Sequence, residues 1–167
     1  MEVFRSKPVV LDASAQMVFD FHSDPRNIVK IAQPGLKVLD VEAEVPARVG
    51  GRFRLVVAQF GLRLEWHGLW AEVCEPSLLV DTAEKCPFPG WRHEHIFDAE
   101  GSRTRMTDRV SMDLPASFWL AVPMRCALWV VFSLMFAARH AATRKYFQRC
   151  GNFCPEKSGP HASATPN

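Results

Sequence analysis

Hydrophobic and polar residues alternate through most of the stretch from residue 36 to residue 114, which predicts a run of β-strands. Short connections rich in proline, glycine and acidic residues separate the segments, and strands joined in this way usually form an antiparallel meander. A similar segment near the N-terminus adds a first strand. The sequence therefore predicts about seven strands, at residues 3–11, 36–45, 52–59, 62–74, 78–84, 91–98 and 103–114.

Three segments outside these strands carry the signals of helices. Ser14 is a suitable N-cap for a helix over residues 15–22. Pro25 occupies a good first-turn position for a short second helix that ends near residue 31. The longest helix begins at residue 118 and continues to about residue 149. A curved antiparallel sheet with two short helices after its first strand and one long C-terminal helix is an α+β fold.

The middle of the long helix is uncharged from residue 126 to residue 138. These residues are fewer than the roughly 20 that a transmembrane helix needs, and Arg125 and Pro123 come shortly before them. We therefore expect no transmembrane segment, while contact with a membrane surface stays open.

The same part of the helix is apolar on nearly all sides. The sheet can cover one stripe, so the remaining sides need loops, a ligand, a membrane surface or a partner such as a second copy of the chain. One stripe consists of Leu120, Met124, Ala127, Val131 and Leu134, while Trp129, Phe132 and Phe136 occupy other sides.

Two neighbouring strands place polar side chains where apolar ones are expected. Residues 91–97 and 104–110 alternate so that His93, His95 and Asp108 share one face, opposite a face rich in arginine and glutamate. A two-residue turn at Glu100 and Gly101 would place Asp108 across the ladder from His93. Inward polar groups indicate a lined pocket or a buried hydrogen-bond network.

The composition limits the classes of function. The chain has 167 residues, with 20 Lys+Arg against 18 Asp+Glu and a net charge of +2, which gives no reason to expect a nucleic-acid partner. We expect one domain over residues 1–149 and a disordered tail over residues 150–167. No secretory signal is visible at the N-terminus, so a cytoplasmic location with reduced cysteines is expected.

The order of elements resembles the helix-grip arrangement of the START-like, or SRPBCC, superfamily, over about residues 3–148. Several segments resemble the bacterial ligand-binding branch, which is related to the part preceding the epimerase domain in some fused proteins. The last of these segments has Ala138 where the branch usually carries an aromatic residue. The segments are Val18-Phe-Asp-Phe-His22, Val49-Gly-Gly-Arg-Phe53, Pro87-Phe-Pro-Gly-Trp-Arg-His-Glu-His-Ile-Phe97, Thr107-Asp108 and Met135-Phe-Ala-Ala-Arg-His140.

The resemblance implies a hydrophobic cavity between the sheet and the long helix. We therefore expect binding of a small hydrophobic molecule of lipid, polyketide or aromatic type, with no cofactor and no metal. The histidines and the aspartate would form the polar anchor of this cavity. The expected ligand-binding residues are Trp66, Trp70, Trp91, His93, His95, Phe97, Met106 and Asp108.

Two alternative functions stay open at this stage. Polyketide cyclases of the superfamily suggest a cyclase or dehydratase that uses His93 and Asp108 as an acid-base pair. Burial opposes protonation of His93 while a neighbouring carboxylate favours it, so the sequence leaves its charge undetermined. In the other alternative, the apolar middle of the long helix docks on a partner, for instance in a homodimer.

Overall fold

The computed structural model describes residues 1–59 and 61–151, and in them one antiparallel sheet curves around the C-terminal helix. The order across the sheet is β1, β8, β7, β6, β5, β4, β3, and β2 also pairs with β8. This confirms the helix-grip α+β fold. The strands are β1 Glu2–Arg5, β2 Val9–Leu11, β3 Leu36–Ala43, β4 Arg52–Gln59, β5 Leu62–Cys74, β6 Leu78–Lys85, β7 Arg92–Glu100 and β8 Arg103–Ser111.

The first predicted strand is two strands, because the chain changes partner positions on β8 between them. Pro8 has no N–H to give to a strand ladder, which favours a break at this point. Ser6 lies in the break and forms two hydrogen bonds with the backbone of Asp108 on β8. Its N–H donates to the carbonyl of Asp108 and its hydroxyl accepts from the Asp108 N–H, each at 2.9 Å.

The helices begin where the sequence predicts. The first, α1, spans Ala15–His22, and the Ser14 hydroxyl accepts from the N–H of Met17 at its N-terminus. A 3₁₀ turn over Pro25–Lys30 follows it. The long helix α2 spans Phe118–Gly151 and packs on β1, β2 and the 3₁₀ turn. The predicted tail lies outside the described residues except for its first two positions, which belong to α2.

The hairpin of β7 and β8 has the predicted faces and a different register. The turn falls at Gly101 and Ser102, one residue later than predicted, so Asp108 pairs with His95 and not with His93. A two-residue hairpin turn needs positive φ at its first central position, and Gly101 has φ of 63° there. The shift is two residues, which keeps every side chain on its predicted face.

The core consists of two clusters of buried residues. One buried cluster packs α1 on the sheet around Leu11, Phe19 and Phe97. A second cluster packs α2 on the sheet around Phe4, Phe132 and Phe136. The outer face of the sheet is charged, as predicted from the alternation.

The face of α2 that meets the sheet differs from the stripe that begins at Leu120. The buried positions follow a spacing of three and four residues, which is the spacing of one helix face. The stripe singled out in the sequence is exposed instead, up to 69% for Leu134. The buried face consists of Phe132, Phe136, His140, Thr143 and Phe147.

The first half of α2 therefore presents bare apolar surface, which we call the exposed apolar face. In length and composition, the part of α2 over Phe118–Cys150 is sufficient to cross a membrane. Among the described residues no other element covers its N-terminal turns. The exposed apolar face consists of Phe118, Trp119, Leu120, Val122, Met124, Trp129, Val130, Val131 and Leu134.

Candidate functional site

A cavity of about 150 Å³ lies between the concave face of the sheet and α2. The end of α1 and the 3₁₀ turn close one side of it. Most of its wall is apolar, and its charged and imidazole groups lie on β6, β7, α1 and α2. The lining residues are His22, Pro25, Ile28, Gln33, Leu36, Phe53, Leu55, Val57, Gln59, Trp66, Trp70, Asp81, Trp91, His93, His95, Met135, Phe136 and Arg139.

Aromatic rings form a large part of the wall because inward positions of neighbouring strands carry them. Trp66 on β5 meets Trp91 edge to face, with ring centroids 6.2 Å apart. Phe53 on β4 packs against Trp70, with centroids 5.2 Å apart. Such pairs keep the rings in fixed orientations. The wall is therefore a shaped apolar surface.

Asp108 is the centre of the polar network behind this wall. Its side chain is 0% exposed, and its carboxylate accepts from Nε2 of His93 at 3.0 Å and from Nε2 of His140 at 2.5 Å. Burial would raise the pKa of this carboxyl, but His95, His140 and His93 together hold it well below its ordinary value. Asp108 is thus a buried anion that joins β7 and α2 to β8.

His93 lies between two carboxylates. Its Nδ1 is 3.3 Å from the carboxylate of Asp81 on β6, which also accepts from the indole N–H of Trp91 at 2.9 Å. Burial lowers the pKa of His93, but Asp108 and Asp81 outweigh burial and raise it to about 9. The imidazole is therefore protonated at neutral pH and neutralises part of both anions.

His95 and His22, in contrast to His93, are uncharged because burial lowers their pKa values. Burial and the charge of His93 together lower the pKa of His95 to about 4. Burial and the proximity of His95 lower the pKa of His22 to about 3. Nδ1 of His95 lies 2.7 Å from Asp108 but is not directed along a hydrogen bond, so we treat this pair as a contact.

Several buried polar atoms on lining residues lack a hydrogen-bond partner within the described residues. They are Nε2 of His22, Nε1 of Trp70, Nδ1 of His95 and Nε of Arg139. Buried polar groups in folded proteins nearly always have partners, so a concentration of exceptions at one cavity is informative. A ligand with polar atoms is one way to supply the missing hydrogen-bond partners.

The sequence-predicted site residues divide into three groups in the structure. Five of them line the cavity, namely Trp66, Trp70, Trp91, His93 and His95. Phe97 and Met106 are buried in the core cluster with α1 and are not among the lining residues. Asp108 is also not a lining residue. It accepts a hydrogen bond from the lining residue His93.

Four functional positions were not predicted. The sequence patterns did not assign His22, Asp81, Arg139 or His140 to the site. His140 follows Phe132 and Phe136 at intervals of four, which is a signal that it shares their buried face. Asp81 is the one acidic residue within the buried run of β6, directly after Leu79 and Val80.

One group could hold a metal ion by its donor types. Asp81, His93 and His95 bring one ligand atom each to within 4.8 Å of one another. Their donors suit zinc or iron(II). Both ring nitrogens of His93 already face carboxylates, however, so a metal would have to displace the proton that His93 shares with Asp81.

Comparison with known proteins identifies the fold. No protein-family model matches the chain, and no curated protein matches it. A protein of Thermus thermophilus superposes with a TM-score of 0.66 at 13% identity, over 88% of this chain and 97% of that one. The major latex-like protein 151 of Panax ginseng superposes with a TM-score of 0.63 at 7% identity, over 84% and 94%.

A third similar structure is part of a larger protein. A nucleoside-diphosphate sugar epimerase of Corynebacterium glutamicum superposes with a TM-score of 0.61 at 20% identity, over 87% of this chain and 29% of that protein. At these identities the comparisons show the helix-grip fold and no particular activity.

Proposed function

We propose that the chain binds a small hydrophobic molecule in the cavity between the sheet and α2, as a member of the START-like superfamily. The observation that carries the proposal is a cavity of about 150 Å³ inside the fold, walled by aromatic rings and by polar atoms without partners. Binding pockets are typically apolar with a few convergent polar groups.

The size of the cavity limits the ligand. A cavity of this volume is comparable to one that accepts a benzene-sized guest. Burial of about 300 Å² of apolar ligand surface would contribute about 7 kcal/mol before ordering costs, so apolar contacts alone support micromolar affinity at best. The polar groups of the wall must therefore provide selectivity.

Native mass spectrometry of the gently purified chain tests the proposal, with calorimetric titration of small aromatic compounds as the second measurement. A Leu55→Phe variant, which fills the cavity, should lose binding. The matched control is Leu39→Phe on the exposed surface of β3, which should bind like the wild type. Absence of any co-purified molecule together with absence of binding across the panel would overturn the proposal.

We also propose that the exposed apolar face of α2 contacts a lipid bilayer. At 100° per residue its side chains span about two-thirds of the helix circumference. A protein partner, including a second copy of the chain, covers one stripe along a helix, whereas the hydrocarbon of a bilayer can contact all of the exposed circumference. From residue 118 to residue 134 the helix is about 25 Å long, close to the thickness of a bilayer core. Its one charged residue, Arg125, can extend to the headgroups.

Flotation with phosphatidylcholine vesicles tests this contact. The wild type should float with the vesicles, and Trp129→Glu and Leu134→Glu should remain at the bottom of the gradient. Leu62→Glu is the control, because Leu62 is equally exposed but lies at the β4–β5 hairpin. A wild-type protein that ignores vesicles contradicts the proposal. Sedimentation as a dimer that the same variants dissociate would identify a second copy as the partner.

A further inference from the structure

The polar atoms left without partners at the cavity include two that can only donate. The indole Nε1 of Trp70 and the guanidinium Nε of Arg139 are both buried atoms on lining residues. Neither group has an acceptor function. Trp70 is 3% exposed, so its indole N–H is withdrawn from bulk solvent and faces the cavity wall. A ligand that completes this wall must therefore bring acceptor atoms.

Arg139 also adds a positive charge at the cavity, and its guanidinium has no direct ion-pair partner in the part of the chain that the structure describes. Within residues 1–59 and 61–151 it forms no ion pair. The buried carboxylates of the site, Asp81 and Asp108, are occupied by His93, His140 and Trp91. A cation beside an apolar cavity is costly unless an anion pairs with it.

The two neighbouring imidazoles add no further charge. Burial lowers the pKa of both His22 and His95 most. The nearest imidazole, His95 for His22 and His93 for His95, lowers it next, and Arg139 makes a smaller contribution to each. The Val18 carbonyl faces Nδ1 of His22 at 2.8 Å and can only accept, so the proton of His22 stays on Nδ1. Arg139 is therefore the cationic group at the cavity wall that has no direct ion-pair partner among the described residues, while the charge of His93 is shared between Asp81 and Asp108.

We infer that the ligand is a small monocarboxylic acid whose carboxylate binds Arg139 and the indole N–H of Trp70. This inference rests on the proposed binding function and assigns its ligand class. The apolar part of the acid then lies against Phe53, Leu55 and Trp66. A guanidinium and a carboxylate form charge-assisted hydrogen bonds, which are stronger than those between neutral groups. A neutral ligand would leave the charge of Arg139 unpaired, and a cation would be repelled by it.

Calorimetric titration of the full chain with a matched pair of probes tests the inference. The probes are 3-phenylpropionate and 3-phenylpropanol, which share the apolar part and differ in charge. The wild type should bind the acid at least about tenfold more tightly than the alcohol. Arg139→Gln should abolish this preference, mainly through weaker binding of the acid, while Arg139→Lys should keep part of it. Trp70→Phe, which keeps the ring and loses the N–H, should weaken binding of the acid more than binding of the alcohol.

Arg144→Gln is the matched control, because Arg144 is exposed on the same helix and does not line the cavity. It should retain the full preference for the acid. Equal binding of acid and alcohol by the wild type would overturn the carboxylate inference and leave the proposed binding function intact. Failure of both probes and of the wider aromatic panel would instead remove the binding function itself. The wild-type comparison needs no variant, so it stands even if a substitution unfolds the chain.

Discussion

Asp108 of β8 accepts a buried hydrogen bond from His140 of α2, and this bond joins the sheet to the helix that covers it. The same carboxylate accepts from His93 on β7, while Ser6 holds the backbone of Asp108 on its other side. The sheet, the C-terminal helix and the N-terminal segment therefore meet at one buried anion. A hydrogen-bonded ion of this kind stabilises the fold only while all its partners are present.

Replacement of Asp108 by asparagine should destabilise the protein strongly. The variant keeps the shape of the side chain but leaves the His93 imidazolium without one of its two anions. Loss of one partner of a buried ion pair costs about 3–5 kcal/mol. Urea unfolding at pH 7 measures the effect. Asp98→Asn on the exposed side of β7 is the control and should change stability by less than about 0.5 kcal/mol.

The same variant separates a structural role of Asp108 from a catalytic one. Because Asp108 does not line the cavity, we expect Asp108→Asn to affect unfolding first and ligand affinity only through it. A variant of wild-type stability that turns over a polyketide-like substrate far more slowly than the wild type would favour the cyclase alternative.

The free energy of unfolding should be greatest near pH 6.5. His93 has a folded pKa of about 9 against an ordinary value of 6.5, so its contribution is complete below pH 6.5 and disappears as the pH rises through 9. The loss corresponds to about 3 kcal/mol. His95 and His22 have lowered pKa values, so only the unfolded chain takes up their protons as the pH falls from 6.5 towards 4. Stability should therefore decline on the acid side as well.

Denaturant titrations between pH 4.5 and pH 9 check both slopes. A His93→Asn variant should be less stable overall and should lack the decline between pH 6.5 and 9, because the titrating group is gone. A wild-type curve that is flat or rises over that interval would contradict the protonated state of His93.

The sequence was sufficient for the order of elements and the inward face of the β7–β8 hairpin, because alternation determines both. It was insufficient for the register. A turn at residues 100 and 101 and a turn at residues 101 and 102 produce the same inward face, and only the backbone conformation of Gly101 separates them. Asp108 consequently lies close to both His93 and His95 of β7, where only His93 was predicted.

The composition of the site was harder to predict for another reason. Asp81 and Arg139 enter the cavity from β6 and α2, and their neighbours there are far away in sequence. On α2, almost every residue is apolar, so hydrophobicity could not identify the buried face. The buried face is instead the one that contains the polar residues His140 and Thr143. Both can be buried because Asp108 accepts a hydrogen bond from His140 and the Arg139 carbonyl accepts one from Thr143.

Gly68→Ala should change the shape of the cavity without unfolding the protein. Gly68 pairs with Phe53 across β4 and β5, and an added methyl group would fall on the Phe53 ring. The ring would have to move towards the cavity that it lines, at a cost of about 1–3 kcal/mol of stability. We expect a loss of ligand affinity, measured by calorimetry. Phe53→Leu added to Gly68→Ala should recover part of it, since the smaller side chain leaves room for the methyl group. Unchanged affinity in the single variant would show that Phe53 yields away from the cavity.

Phe132 and Val131 are adjacent on α2, and truncation of Phe132 should destabilise the protein far more than truncation of Val131. Phe132 is 2% exposed and packs against Phe4, Phe88 and Trp91, whereas Val131 is 54% exposed. Phe132→Ala should cost about 3–5 kcal/mol through the cavity it leaves in the core. Val131→Ala should stay within about 0.5 kcal/mol. Thermal and urea unfolding of the two variants measure the difference. Similar losses in both would mean that the exposed apolar face is covered in solution, and vesicle flotation of Val131→Ala would then show whether lipid or protein covers it.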